Sequence, residues 1–277
     1  MRQDTMSDGT GVIESMRRIM GPRGSRTARQ AVDALAGPWL GSIRRVRTDL
    51  PYVAVAFDDG PDPVWTPQVL DVLADRACQA TFFMLLNNAR PNPELVRRVV
   101  AEGHEVALHG ADHRSLVHLS RQAVRARLES AASELAAIAG TPVKLFRPPF
   151  GAQTVRSYLG VRDVGLDCVV WDLDTYDWCG GDEQDVADGV VTRADEGAIV
   201  LAHDGGADID EGCGTEPPFD RARMAELLIG GLARRGLHNI TVSDLLAAGD
   251  AHRTVWFSHY IPPEHDRWRG DAVVDDR

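Results

Sequence analysis

Residues 52–62 read Tyr-Val-Ala-Val-Ala-Phe-Asp-Asp-Gly-Pro-Asp, five apolar positions running straight into two acids and a turn. A run that is apolar at every position, rich in β-branched and aromatic residues and stopped by Gly and Pro, reads as a strand buried on both faces. Outward from it the pattern repeats. Strand-like runs are expected at Val53–Phe57, Thr81–Leu86, Glu105–Leu108, Val143–Phe146, Cys168–Trp171, Ala198–Ala202 and Asn239–Val242. Between them, apolar residues spaced by three and four predict helices over Pro67–Asp75, Pro93–Glu102, Arg121–Ala139, Thr154–Val164, Glu183–Asp195 and Asp220–Arg235. Strands alternating with helices define an α/β protein with a parallel sheet, either open and doubly wound or closed into a barrel. No GxGxxG follows the first strand and no GxxxxGK[ST] occurs, which withdraws support from the nucleotide-binding open sheets.

The flanks differ in texture. Residues 1–50 read as an N-terminal extension with an amphipathic helix near Ala28–Leu35, residues 51–250 as the main domain, and residues 251–277 as a C-terminal tail whose Trp256, Phe257, Tyr260 and Trp268 suggest packing. The 277 residues carry 30 Lys+Arg against 41 Asp+Glu, a net charge of −11, which argues against nucleic acid as a partner. There is no apolar run long enough for a membrane span. The first 25 residues lack the apolar stretch of a secretory leader, and Cys78, Cys168, Cys179 and Cys213 show no CxxC spacing; a cytoplasmic location is the expectation.

Polar clusters follow one strand after another. Asp58-Asp59-Gly60-Pro61-Asp62 follows the first, His109 and His113 the third, Arg147-Pro148-Pro149-Phe150-Gly151 the fourth, Asp172, Asp174, Asp177 and Trp178 the fifth, and His203-Asp204-Gly205-Gly206 the sixth. In a parallel barrel these ends open onto one face, where such folds carry their active sites. Two histidines four apart can clamp a divalent cation, although alone they are more often surface residues. With Asp59 as third ligand, two imidazoles and a carboxylate leave coordination positions open, the mark of a catalytic site. The neighbouring Asp58 is then free to act as a general base. Arg147, stiffened by the prolines after it, can pair with Asp58 and keep it ionised.

These clusters, FDDGPD, HGADH, FRPPFGA, DLDTYDW and IVLAHDGG, resemble in order the five motifs of the NodB-type polysaccharide deacetylases, carbohydrate esterase family 4, over roughly Val53 to Leu246. The resemblance implies a distorted (β/α) barrel of about seven parallel strands and removal of an N-acetyl or similar small N-acyl group from an amino sugar, oligosaccharide or glycosylated small molecule. It implies one divalent metal, zinc by expectation with cobalt or nickel as alternatives, held by Asp59, His109 and His113. Asp58 is similar to the family's base, Arg147 to the arginine that orients it, and His203 to the general acid; Asp174 is most similar to the carboxylate tuning that acid, with Asp177, otherwise near the substrate, as the alternative partner. Trp178 and Leu201 resemble the lining of the acyl pocket, and the Phe150 N–H the oxyanion donor. The partner expected is an N-acylated amino sugar; a deformylase or other linear amidase, and an inactive carbohydrate-binding homologue, are the alternatives on the same scaffold. The chain departs from the pattern at Gly110, in place of a hydroxyl residue that would brace the loop, at Arg114 in place of proline, at Phe150 in place of tyrosine, and at Asn87-Asn88, where a small glycine is common.

Overall fold

The apolar run before the paired acids lies in β2 (Tyr52–Asp58), whose residues from Val53 onward are all buried. The computed structural model describes residues 31–206 and 219–257. β2 pairs on one side with β3 (Thr81–Leu85) and on the other with β8 (Ile199–His203), both parallel. The sheet continues through β4 (Glu105–Gly110), β5 (Leu145–Phe146) and β6 (Asp167–Cys168) beyond β3, and to β7 (Leu173–Asp174) beyond β8, in the order β6-β5-β4-β3-β2-β8-β7. β9 (His238–Asn239) pairs with the first residues of β2. Every pairing in this sheet is parallel, as strands joined by helical crossovers require.

The crossovers are α2 (Trp65–Asp75), the short α3 (Leu86–Ala89), α4 (Pro93–Ala101), α5 (Arg121–Ala139), α6 (Val155–Asp163), α7 (Glu183–Val191) and α8 (Arg221–Arg234). Their apolar stripes, such as Val124, Leu128 and Leu135 of α5, close on one face of the sheet to form the larger core. The bounds of α5 were legible because both ends are chemically marked. Ser120 accepts from the Ala123 N–H, and Gly140 ends the helix at φ 70°.

This is a distorted (β/α) barrel, because the parallel sheet does not close on itself. The terminal strands β6 and β7 do not pair; the gap is occupied by β1 (Ser42–Arg47), bridged to Val169 through Ile43 and to Ala198 through Arg45. β1 in turn pairs antiparallel with β10 (Asp250–Thr254), with Ser42 opposite Thr254. Ile43 and Val46 are fully buried. Residues 42–50 and the first residues past 250 are therefore parts of the body, against the expectation of an extension ending at 50 and a tail starting at 251. The two adjacent arginines of SIRRVR obscured a strand that buries its apolar side chains. The N-terminal helix is present, with α1 described over residues 31–40. Of the tail aromatics, Trp256 donates through Nε1 to the Gly151 carbonyl at 3.0 Å and lies 5.5 Å from the Trp171 ring, while Tyr260 and Trp268 fall outside the described residues.

Two strand expectations ended early for visible reasons. The run from Cys168 leaves the sheet at Val169, where the Val170 N–H donates to the Ile43 carbonyl. After Asn239, Thr241 caps α9 (Val242–Ala247) by accepting from the Asp244 N–H, so Val242 starts a helix. No helix of the described residues is long and apolar enough to cross a membrane.

Candidate metal centre and active site

β2 ends in two consecutive acids that the backbone sends apart. Asp58 is the last strand residue, while Asp59 adopts φ 72°, the left-handed region that Asp tolerates better than most residues. The turn is pinned from outside: Asn88 of α3 donates through Nδ2 to the Asp59 carbonyl at 2.7 Å. It is also crowded by the turn after β8, where a Cβ on Gly205 would come within 2.9 Å of the Asp59 backbone. Two tight turns packed back to back explain the glycine there.

Asp59 meets His109 and His113. His109, at the end of β4 and 3% exposed on its side chain, donates from Nδ1 to the Arg147 carbonyl at 2.9 Å. That bond fixes the tautomer and leaves Nε2 as a lone pair, 3.4 Å from Asp59 Oδ1. His113 Nε2 lies 3.6 Å from the same oxygen. One ligand atom from each of the three residues falls within 4.8 Å of the others. Asp59 Oδ1 is buried without a hydrogen-bond partner, an expense that a cation removes. Burial pushes His109 down to about 3, against the pull of Asp59, so the ring is neutral as a ligand must be. Burial acts to raise the Asp59 carboxyl, but the histidines, His113 foremost, outweigh it and hold the group below its ordinary value. One carboxylate and two imidazoles, with no fourth protein ligand among the described residues, suit a divalent metal.

Asp58 faces the other way. Its Oδ1 accepts from Arg147 Nη1 at 2.6 Å, and both side chains are buried. The guanidinium lies 4.1 Å from the centre of the Phe83 ring. Burial pushes the Asp58 carboxyl up to about 7, with Arg147 the main opposing influence. After Arg147, Phe150 stands at φ 59° with its ring 4.2 Å from that of His113. Gly151 follows at φ 62°, where a Cβ would meet the Trp171 ring at 2.6 Å.

Across the strand pair, Asp58 is in register with His203, so the two stand level on neighbouring strands. His203 donates from Nδ1 to Asp177 Oδ1 at 2.6 Å, and its backbone N–H donates to Asp177 Oδ2 at 2.9 Å. The carboxylate that serves His203 is therefore Asp177 and not Asp174. Asp174 turns its Oδ1 to the Tyr176 N–H at 2.8 Å, drawn there by the left-handed Tyr176. Burial alone would lower His203; Asp177 overrides it and lifts the imidazole to about 9. Burial likewise acts to raise Asp177, but His203 and Arg221 hold its carboxyl below the usual range. Leu201 is buried in β8, and Trp178 stands 53% exposed on the rim with Tyr176 beside it.

Two buried residues near the site carried no assigned role in the sequence reading. Asp204 accepts from Thr66 Oγ1 at 2.5 Å, and burial pushes its carboxyl up to about 7. Arg221, first residue of α8, reaches Asp177. Asp204 lay within a quoted cluster, but nothing in the periodicity of α8 marks its first residue as buried.

A parallel barrel that carries this trio, with the Asp58–Arg147 and Asp177–His203 pairs beside it, at the carboxyl ends of its strands has the parts of a metal-dependent hydrolase. The chain belongs to the polysaccharide deacetylase family, whose model matches residues 45–169. A chitooligosaccharide deacetylase of Sinorhizobium fredii is 37% identical over 201 residues, 72% of this chain and 93% of that one. A peptidoglycan-N-acetylglucosamine deacetylase of Bacillus cereus is 34% identical over 196 residues, 70% of this chain and 87% of that one. Among solved structures, peptidoglycan deacetylase PdaC of Bacillus subtilis superposes with a TM-score of 0.62 at 30% identity, covering 73% of this chain and 93% of that one. A pseudoenzyme of the same esterase family from Bacillus anthracis shares the fold at a TM-score of 0.66 and 21% identity, over 75% of this chain and 69% of that one.

Proposed function

We propose that the protein is a zinc-dependent N-deacetylase of an N-acetylated amino sugar carried in an oligosaccharide or small glycoside. The observation that carries this is the buried, unpartnered Asp59 Oδ1 facing two imidazole nitrogens, with Asp58 and His203 level beside it on adjacent strands. The relatives named for chitooligosaccharide and peptidoglycan N-acetylglucosamine support the substrate class.

Asp59, His109 and His113 hold the metal. When bound, it supplies Lewis acidity, polarising the amide carbonyl and acidifying the attacking water. Asp58 takes the proton of that water as general base, with Arg147 fixing its carboxylate at 2.6 Å. The Phe150 N–H donates to the oxyanion that develops on the carbonyl oxygen. His203, kept protonated by Asp177, delivers its proton to the departing nitrogen, which is a poor leaving group without it. Leu201 and Trp178 border the space for the acyl methyl group. The pseudoenzyme neighbour shows that the fold alone does not decide activity; here the base, the acid and the trio are all in place.

The test is a screen of the zinc-loaded protein against N-acetyl- and N-formyl-amino sugars, chitooligosaccharides and simple glycosides, reading released acetate and formate. Acetate release from an N-acetylated sugar is expected. Formate release alone would make the protein a deformylase, and no acid released from any member would overturn the reading.

A further inference from the structure

Arg221 stands behind the His203–Asp177 pair, and the chemistry above does not use it. It is the first residue of α8 and 4% exposed. Its Nη1 lies 3.5 Å from Asp177 Oδ2 and 3.5 Å from the His203 carbonyl oxygen. Asp177 commits Oδ1 to the imidazole, so Arg221 approaches the oxygen that the imidazole leaves. That oxygen already accepts the His203 N–H at 2.9 Å; together the contacts oppose rotation of the carboxylate.

The placement runs against two general tendencies. Burying a guanidinium costs several kcal/mol before its partners repay it, and a cation is disfavoured in the first turn of a helix. The start of α8 is nevertheless firmly located. Asp220 caps it by accepting from the Arg223 N–H at 2.8 Å, and the Asp220 N–H donates to Glu183 of α7 at 2.9 Å. The field of Arg221 also reaches Asp59 and Asp204, so general neutralisation of buried acids is the rival duty.

We propose that Arg221 is a positioning residue for proton delivery: it locks the Asp177 carboxylate in the orientation that presents the His203 imidazole to the leaving nitrogen. The inference rests on the reading of His203 as the leaving-group acid. It predicts a loss confined to the step that needs that acid, whereas charge neutralisation would affect every substrate alike.

The experiment compares an N-acetyl chitooligosaccharide with an aryl acetate, whose leaving group needs no proton, using metal-loaded wild type, H203A, D177N, R221M and R221K. For R221M the expected result is a kcat loss of about 10- to 100-fold on the amide at unchanged KM, with about threefold or less on the ester, since acid–base help is worth roughly 10²–10⁴ in full. R221K should recover most of it. Adding R221M to D177N should cost about twofold or less, because residues acting through one another are not additive. If H203A spares the ester but R221M damages both substrates equally, or adds fully to D177N, the Arg221 assignment alone falls. If H203A also damages both equally, the reading of His203 falls and takes this inference with it. Should R221M fail to fold, R221Q carries the same comparison, with R221K as its rescue.

Discussion

Asp58 and Asp59 are adjacent and chemically alike, and the left-handed turn at Asp59 gives them different work. One faces an arginine and the other faces two imidazoles. Asp58→Asn should therefore keep its metal while turnover falls by roughly 10²–10⁴, the worth of a general base. His113→Ala should lose metal and turnover together; metal content beside a free-amine assay separates the two. The acid side makes a second prediction. If His203 is the acid proposed above, it works protonated; Asp177 foremost holds it up to about 9, so the rate should fall through a basic limb near that value. Asp58 must be ionised; burial lifts it to about 7, and a cation bound at Asp59 lowers it again, placing the acid limb below 7. Both limbs are macroscopic values of coupled groups. Asp177→Asn removes the main charge that raises His203 and should move the basic limb down, while Asp174→Asn should move it much less; pH–rate profiles decide. The spacing within DLDTYDW could not choose between these two acids, because the choice is made by the backbone at Tyr176.

Between β4 and α5, the loop bearing His113 lacks the hydroxyl and the proline that the family pattern supplies. Its bracing comes from Asp112. That side chain accepts from the Arg114 N–H at 3.2 Å and pairs with Arg127 of α5 at 2.5 Å. Gly110 permits the turn at φ 133°, where a Cβ would sit 2.7 Å from the Asp112 carbonyl. Asp112→Ala loosens the loop beside His113 without removing a contact to a ligand, so it should weaken metal binding by no more than about tenfold, the lower end of what direct outer-shell partners of metal ligands contribute; titration calorimetry on the folded variant measures it. Elements with period and caps, such as α5, were readable from sequence, as were clusters lying directly after strands. The two-residue strands β5, β6, β7 and β9 are too short to carry a period, and their extents are set by pairing with distant segments. Arg221 and Asp204 escaped a role for the same reason, since their partners lie far away in the chain.

For the molecule as a whole, a divalent metal held by Asp59, His109 and His113 would tie the end of β2 to the end of β4 and the loop after it, and should add to stability by mass action. At 100 times its Kd, zinc should contribute about 2.7 kcal/mol. In a domain of this size that raises Tm by roughly 5–10 °C. Thermal melts with zinc and with chelator, run beside His113→Ala, test this; the variant should show no shift. The barrel and its helices were legible in outline because alternating strand and helix patterns leave few topologies. The boundary near residue 50 was not, because every partner that joins β1 to the body, Val169, Ala198 and β10, lies more than 100 positions later.

The pairing of Ser42 with Thr254 means that the polypeptide enters and leaves the described body at neighbouring points. In topological terms the body is a ring cut once, with the cut beside the wall formed by Gly151, Trp171 and Trp256. A circular permutant that bridges residues 42 and 254 with a short linker and opens in a distant helix-to-strand connection would preserve the strand neighbours of the barrel. The order in which the chain visits its strands is thus separable from the arrangement that does the chemistry.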